Sequence, residues 1–121
     1  MVDHMIVLSF SSMIPYDILI MSVGSVNNTF GVKGVEENCM FFKSIEDAKA
    51  LRARVSELFE RAALPDVSRE DRERLLSFVI VGGGPTGTEV AAELHDMIEQ
   101  DLCHVYPDLM PYTKVRIIES R

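Results

Sequence analysis

The chain has 121 residues, 47% of them hydrophobic and 26% charged, with a formal net charge of −7. That is one domain's worth of chain with apolar residues spread along it, which supports a modest core and excludes general disorder. The negative balance, and the interleaving of Arg52, Arg54, Arg69, Arg72 and Arg74 with acids, argue against nucleic acid or an anionic lipid surface as a partner.

Met5 to Phe10 is a short apolar run. It is too short to span a bilayer and lacks the basic flank of a signal peptide, so a β-strand is expected there. Tyr16 to Gly24 (YDILIMSVG) is a second apolar run ending in small residues. It predicts a buried strand whose C-terminal end meets a tight backbone approach. A Gly/Asn-rich loop follows from Gly24 to Gly31, then a second turn near Gly34 and room for a very short strand at Met40 to Lys43. Cys39 and Cys103 form no CxxC pair, so free thiols are expected. The adjacent Cys103 and His104 have no second ligand cluster, and no metal site is expected.

Ser44-Ile45-Glu46-Asp47 resembles a capping box with Asp in place of Glu or Gln. Ile45, Ala48, Leu51, Val55, Leu58, Phe59 and Ala62 recur at spacings of three and four, predicting a helix whose whole stripe faces the core and which ends before Pro65. Ser68-Arg69-Glu70-Asp71 opens a shorter helix in the same way. Phe78 to Val81 reads as a central parallel strand buried on both faces. A long helix then carries Val90, Ala91, Leu94, Met97, Ile98 and Leu102. Tyr106-Pro107 and Pro111-Tyr112 bracket a loop, and Lys114 to Glu119 is a closing strand.

Gly82, Gly84 and Gly87 fit G-x-G-x-x-G between that strand and that helix. The first glycine permits a tight turn, the second a close approach of backbone to a pyrophosphate, and the third close packing of helix on strand. A diphosphate would sit at the helix N-terminus, where free N–H groups and the helix dipole favour an anion. Gly83, Pro85 and Thr86 complete the expected cofactor-binding turn. Glu89 is expected in the first helical turn, where it suits the dipole and faces the ligand.

Glu119, at the end of the closing strand, fits the acid that accepts hydrogen bonds from the adenine ribose and repels a 2′-phosphate, which predicts NADH over NADPH. It lies further from the glycines than the usual spacing of about 20 residues. Its plain alternative is a solvated strand-end carboxylate, and the nearby Arg121 is of the type that serves a 2′-phosphate. The fold class is therefore α/β, an incomplete Rossmann-like parallel βαβ unit.

VGGGPTGTEVAAEL, with KSIEDAKALR, FERAALP and YP-DL in the same order, closely resembles the type II (alternative, non-proton-pumping) NADH:quinone oxidoreductases, the eukaryotic mitochondrial members best. The resemblance runs from about Tyr16 to Glu119, with Thr88 where valine is expected. It implies a flavoprotein with two dinucleotide-binding domains, passing a hydride from NADH to FAD and electrons to quinone. Residues 1–34 then end the first part of the FAD-binding domain, 35–76 form a connecting helical segment, and 77–121 begin the NADH-binding domain. Val23 and Gly24 are expected to line the flavin or the domain hinge, and Glu89 to position the nicotinamide.

The resemblance further implies a peripheral place on the mitochondrial inner membrane, through segments expected to lie outside this chain, and a homodimer in the parent enzyme. With no upstream glycine fingerprint the chain reads as an internal fragment. The alternatives are a related pyridine-nucleotide flavoprotein, such as one like apoptosis-inducing factor, and a non-catalytic fragment.

Overall fold

In the computed structural model, which describes residues 5–7 and 13–119, the chain divides into two units, residues 1–39 and 40–121. In the first, β1 (Met5–Val7) pairs antiparallel with β2 (Met13–Pro15), Ile6 opposite Ile14. The remainder of the first apolar run, residues 8–10, lies outside the described residues. Tyr16 to Gly24 is not the buried strand its hydrophobicity predicts. It is irregular, no described strand pairs with it, and Ile18, Ile20, Met21 and Val23 are exposed. An apolar run signals a demand for burial, but a strand forms only where a neighbour takes up its backbone groups.

The Gly/Asn segment is a loop, as expected. Val32 N–H donates to Thr29 O at 3.0 Å across Phe30 (φ 51°) and Gly31 (φ 69°), a turn with two left-handed central residues. One helical turn, α1 (Val35–Asn38), follows Gly34.

The second unit opens on α2 (Ile45–Ala62). Its capping box is formed with the aspartate: Asp47 N–H donates to Ser44 Oγ at 3.2 Å, while Asp47 Oδ2 accepts from the N–H groups of Ser44 at 2.8 Å and Lys43 at 2.9 Å. Those two amides, Ser44 foremost, hold the Asp47 carboxyl below its ordinary range. With Lys43 N–H drawn into the cap, Met40 to Lys43 forms no strand.

The α2 stripe is only partly core. Val55, Phe59 and Ala62 are buried, Ala48 and Leu51 are half-buried, and Ile45 is exposed. α3 (Arg69–Leu75) is capped by Ser68, whose Oγ accepts from Asp71 N–H at 3.0 Å. Leu76 behind it is fully buried. Phe59 centres the core, stacked on Phe78 with ring centroids 6.4 Å apart and tilted against Tyr106 at 5.7 Å. Aromatic pairs at such distances add to area burial.

β3 (Ser77–Val81) and β4 (Lys114–Ile118) run parallel, in register from Ser77 opposite Lys114 to Val81 opposite Ile118. Between them lie α4 (Pro85–Asp96), a π-helical turn (Met97–Leu102), α5 (Cys103–Val105) and a 3-10 helix (Pro107–Tyr112) that replaces the expected loop. Leu94, Ile98, Leu102 and Leu109 bring this crossover onto the core around Phe59. A parallel pair joined through a helix is a βαβ unit, so the unit is a partial Rossmann-like α/β fold.

β3 is not buried on both faces. Phe78 and Val115, side by side, pack on the core, but on the opposite face Val79 is 52%, Val81 55% and Ile118 52% exposed, because no described element covers that side. Among the described residues no helix is long and apolar enough to cross a membrane.

Candidate functional site: the glycine turn and the groove beside α4

The turn from β3 into α4 is built from its glycines. Gly82 leaves the strand at φ 105°, a left-handed conformation that side chains rarely adopt, and its N–H donates to Ile118 O at 2.9 Å, tying the turn to the end of β4. A Cβ on Gly87 would lie 2.0 Å from Gly82 O, so only glycine lets α4 pass this close to the strand end. Gly84 differs: a Cβ there meets nothing within 4 Å. Steric need explains the third glycine without a ligand, whereas the second borders open space, where a bound group would approach.

Gly84 caps α4 and Pro85 takes the first helical position, where its missing N–H costs nothing and its fixed φ suits the helix. Thr88 N–H makes the bond back to Gly84 O at 3.0 Å, and Thr88 Oγ1 donates to the same oxygen at 3.0 Å and to Gly83 O at 3.3 Å. The amides of Thr86 and Gly87 precede that bond and lie in the first turn, where a helix has no acceptor of its own to offer. They are the donors available to an anion.

Glu119 comes to this turn from the far end of the unit. Its Oε2 accepts a hydrogen bond from Gly83 N–H. The long separation in sequence closes because the π turn and the 3-10 helix take up the extra residues. Arg121 lies outside the described residues.

Glu89 is not in the first turn. α4 begins at Pro85, which puts Glu89 in the second turn and leaves the first without an acid. Its side chain instead lines an open groove of about 430 Å³ between the N-terminal half of α2 and the flank of α4. Ala48 and Leu51 form one wall, Val90 and Leu94 the other; Arg52 stands on α2 and Glu89 and Glu93 on α4. The groove is separate from the glycine turn but reaches it at Thr86. Arg52 and the groove-facing part of the α2 stripe carried no signal in the sequence, where the whole stripe looked like core.

Of the expected site residues, the structure brings together Gly82, Gly83, Gly84, Pro85, Thr86, Gly87 and Glu119, with Glu89 along the groove that begins at Thr86. Val23 and Gly24 belong to the first unit, where Val23 is exposed and Gly24 adopts φ 74° in open space. Cys39 and Cys103 are free thiols, and Cys103 Sγ donates to Glu99 O at 2.8 Å.

The profile of the pyridine nucleotide-disulphide oxidoreductase family matches residues 7–121. A Dictyostelium discoideum protein named "Probable NADH dehydrogenase" is 56% identical over 103 residues, which are 85% of this chain and 23% of that protein. The Arabidopsis thaliana mitochondrial external alternative NAD(P)H-ubiquinone oxidoreductase B2 is 48% identical over 107 residues, 88% of this chain and 18% of that one. The Plasmodium falciparum protein NDH2, solved in complex with NADH, superposes with a TM-score of 0.76 at 35% identity, covering 90% of this chain and 22% of its own.

The chain thus spans about a fifth of the length of the relatives it matches, and the expected kinship with type II NADH dehydrogenases is borne out. By a family profile that runs through the glycine turn and across nearly all of its length, the chain belongs to the pyridine nucleotide-disulphide oxidoreductase family.

Proposed function

We propose that this chain carries the NADH-binding turn of an FAD-dependent type II NADH:quinone oxidoreductase. The observation that carries the proposal is the contrast between two glycines: Gly87 is required by packing, while Gly84 faces open space beside the unpaired first-turn amides of α4. A pyrophosphate fits there, and Glu119 at Gly83 fits the adenine ribose. When both cofactors are bound, NADH supplies a hydride and FAD accepts it.

The protein's part is alignment. The amides of Thr86 and Gly87 hold the diphosphate, Glu119 reads the ribose hydroxyls and disfavours a 2′-phosphate, and Glu89 orients the nicotinamide end. Val23 and Gly24 are assigned to the flavin side. Residues 1–34, 35–76 and 77–121 are assigned to the end of the first FAD segment, the connecting helices and the start of the NADH domain. Quinone as acceptor, the mitochondrial inner membrane as location and a dimeric parent are part of the same proposal, supported by the names of the relatives for quinone and mitochondrion. A disulphide acceptor is disfavoured because Cys39 and Cys103 do not form a CxxxxC pair.

The test is equilibrium titration of the chain with NADH. Saturable binding is expected, and Gly84→Val should abolish it while the far-UV circular dichroism is kept, since the added side chain fills the space for the pyrophosphate rather than a packed contact. Undiminished binding by the variant would sink the proposal.

A further inference from the structure

The Thr88 hydroxyl does more than that of an ordinary helical threonine. Thr88 Oγ1 lies 3.0 Å from Gly84 O and 3.3 Å from Gly83 O, and shares its one proton between them. The bond to Gly84 O, four residues back, is the habit of threonine in any helix. The bond to Gly83 O, five residues back, reaches past the cap of α4 and into the turn. Gly83 is thus held at both of its backbone groups, its N–H by Glu119 Oε2 and its carbonyl by Thr88. Neither Gly83 nor Gly84 has a side chain to restrict the peptide between them, so bonds to neighbours decide which way it faces.

The facing of that peptide fixes the Gly84 N–H. In a trans peptide the N–H points opposite to the carbonyl, and no described peptide bond is cis. In a helix the carbonyls face the C-terminus and the N–H groups the N-terminus. With Gly83 O turned onto Thr88 in α4, the Gly84 N–H is turned the other way, alongside the free amides of Thr86 and Gly87. It has no acceptor among the described residues, and a Cβ on Gly84 would meet nothing within 4 Å. Pro85, next in the chain, has no N–H to offer. We propose that Thr88 is a positioning residue of the glycine turn: by holding the Gly83 carbonyl, its hydroxyl aims the Gly84 N–H at the dinucleotide pyrophosphate, as a third donor beside Thr86 and Gly87. It acts through the Gly83–Gly84 peptide and not by contact with the ligand. Thr88 is exposed, so the core makes no demand on its identity. The inference rests on the dinucleotide reading above.

The experiment titrates the whole chain with NADH and with ADP-ribose, which keeps the adenosine and pyrophosphate but lacks the nicotinamide. Thr88→Val keeps the shape of the side chain and removes the hydroxyl, and should leave the far-UV circular dichroism unchanged. It should weaken both ligands equally, by about tenfold, the size of one hydrogen bond to a charged group. Thr88→Ser restores the hydroxyl and should bind both as the parent does. Amide resonances give a signature that a merely structural role would not move. In the isotope-labelled parent, saturating ADP-ribose should shift Gly84, Thr86 and Gly87. In Thr88→Val the Gly84 shift should shrink while those of Thr86 and Gly87 remain.

Parent-like affinity in Thr88→Val overturns the inference. So does a Thr88→Ser protein as weak as Thr88→Val, since the hydroxyl is then not the cause. If the unsubstituted chain binds neither ligand, the dinucleotide reading itself falls and this inference with it. If it binds ADP-ribose with Thr86 and Gly87 shifted and Gly84 unmoved, the dinucleotide reading stands and the role of Thr88 alone fails, a result that needs no variant to fold.

Discussion

Replacing Gly87 by alanine puts one methyl group where a backbone carbonyl already stands. The added Cβ would lie 2.0 Å from Gly82 O and 3.1 Å from Gly82 C. Relief to at least 3.0 Å moves α4 about 1 Å away from the end of β3. The obstacle is main chain, held in turn by the Gly82 N–H bond to Ile118 O, so it cannot rotate aside as a side chain would. Overpacking of this kind costs about 1–3 kcal/mol, and a backbone obstacle argues for the upper end. Alanine's better helix propensity offsets up to about 1 kcal/mol. The net destabilisation is then about 2 kcal/mol, and with a urea m-value of about 1–3 kcal/mol/M the midpoint should fall by roughly 1 M. Urea unfolding followed by far-UV circular dichroism measures this, with the slope unchanged. A Gly87→Ala protein that unfolds at the parent's midpoint, or above it, would refute the packing argument and leave the third glycine without a structural reason.

Glu119→Gln keeps an oxygen that can accept from Gly83 N–H and removes the charge, so the turn should persist while the preference for NADH over NADPH narrows; the ratio of the two dissociation constants reads it, and an unmoved ratio makes Glu119 a bystander. Acid should loosen the start of α2. The folded Asp47 carboxyl titrates below its ordinary 3.8 because Ser44 and Lys43 N–H groups bind its charged form. Its contribution is therefore present above about pH 4 and lost as the pH falls through the lowered folded value. Urea midpoints taken between pH 6 and pH 2 should decline less steeply at the acid end in Asp47→Asn than in the parent.

Where interactions are local, the sequence was readable. Both capping serines, Ser44 and Ser68, were legible because the partner amide lies three residues away. The glycine turn was legible because each glycine answers a backbone requirement, and β4 because its apolar run ends at an acid. What failed depended on partners distant in the chain. Tyr16 to Gly24 is apolar but finds no described strand beside it. Val79 and Val81 look like the interior of a parallel strand, yet their face is open. The groove joins Ala48 and Leu51 to Val90 and Leu94, and periodicity in α2 alone cannot distinguish a wall from a core. The π turn left no side-chain signature, since Leu94, Ile98 and Leu102 satisfy an ordinary helical spacing equally well.

That π turn sets the slack in the crossover. Each of its rings, closed from residue i to i+5, holds one residue more than an α-helical ring. The surplus residue sits between a helix start fixed by the glycine turn and a core contact fixed by Tyr106 on Phe59. A residue gained or lost in this stretch would leave the glycine turn upstream and the landing of Glu119 on Gly83 N–H downstream in their places. A change of length in this part of the fold is thus uncoupled from the position of Glu119, and the spacing between the glycines and that acid is a poor guide to whether the acid is in position.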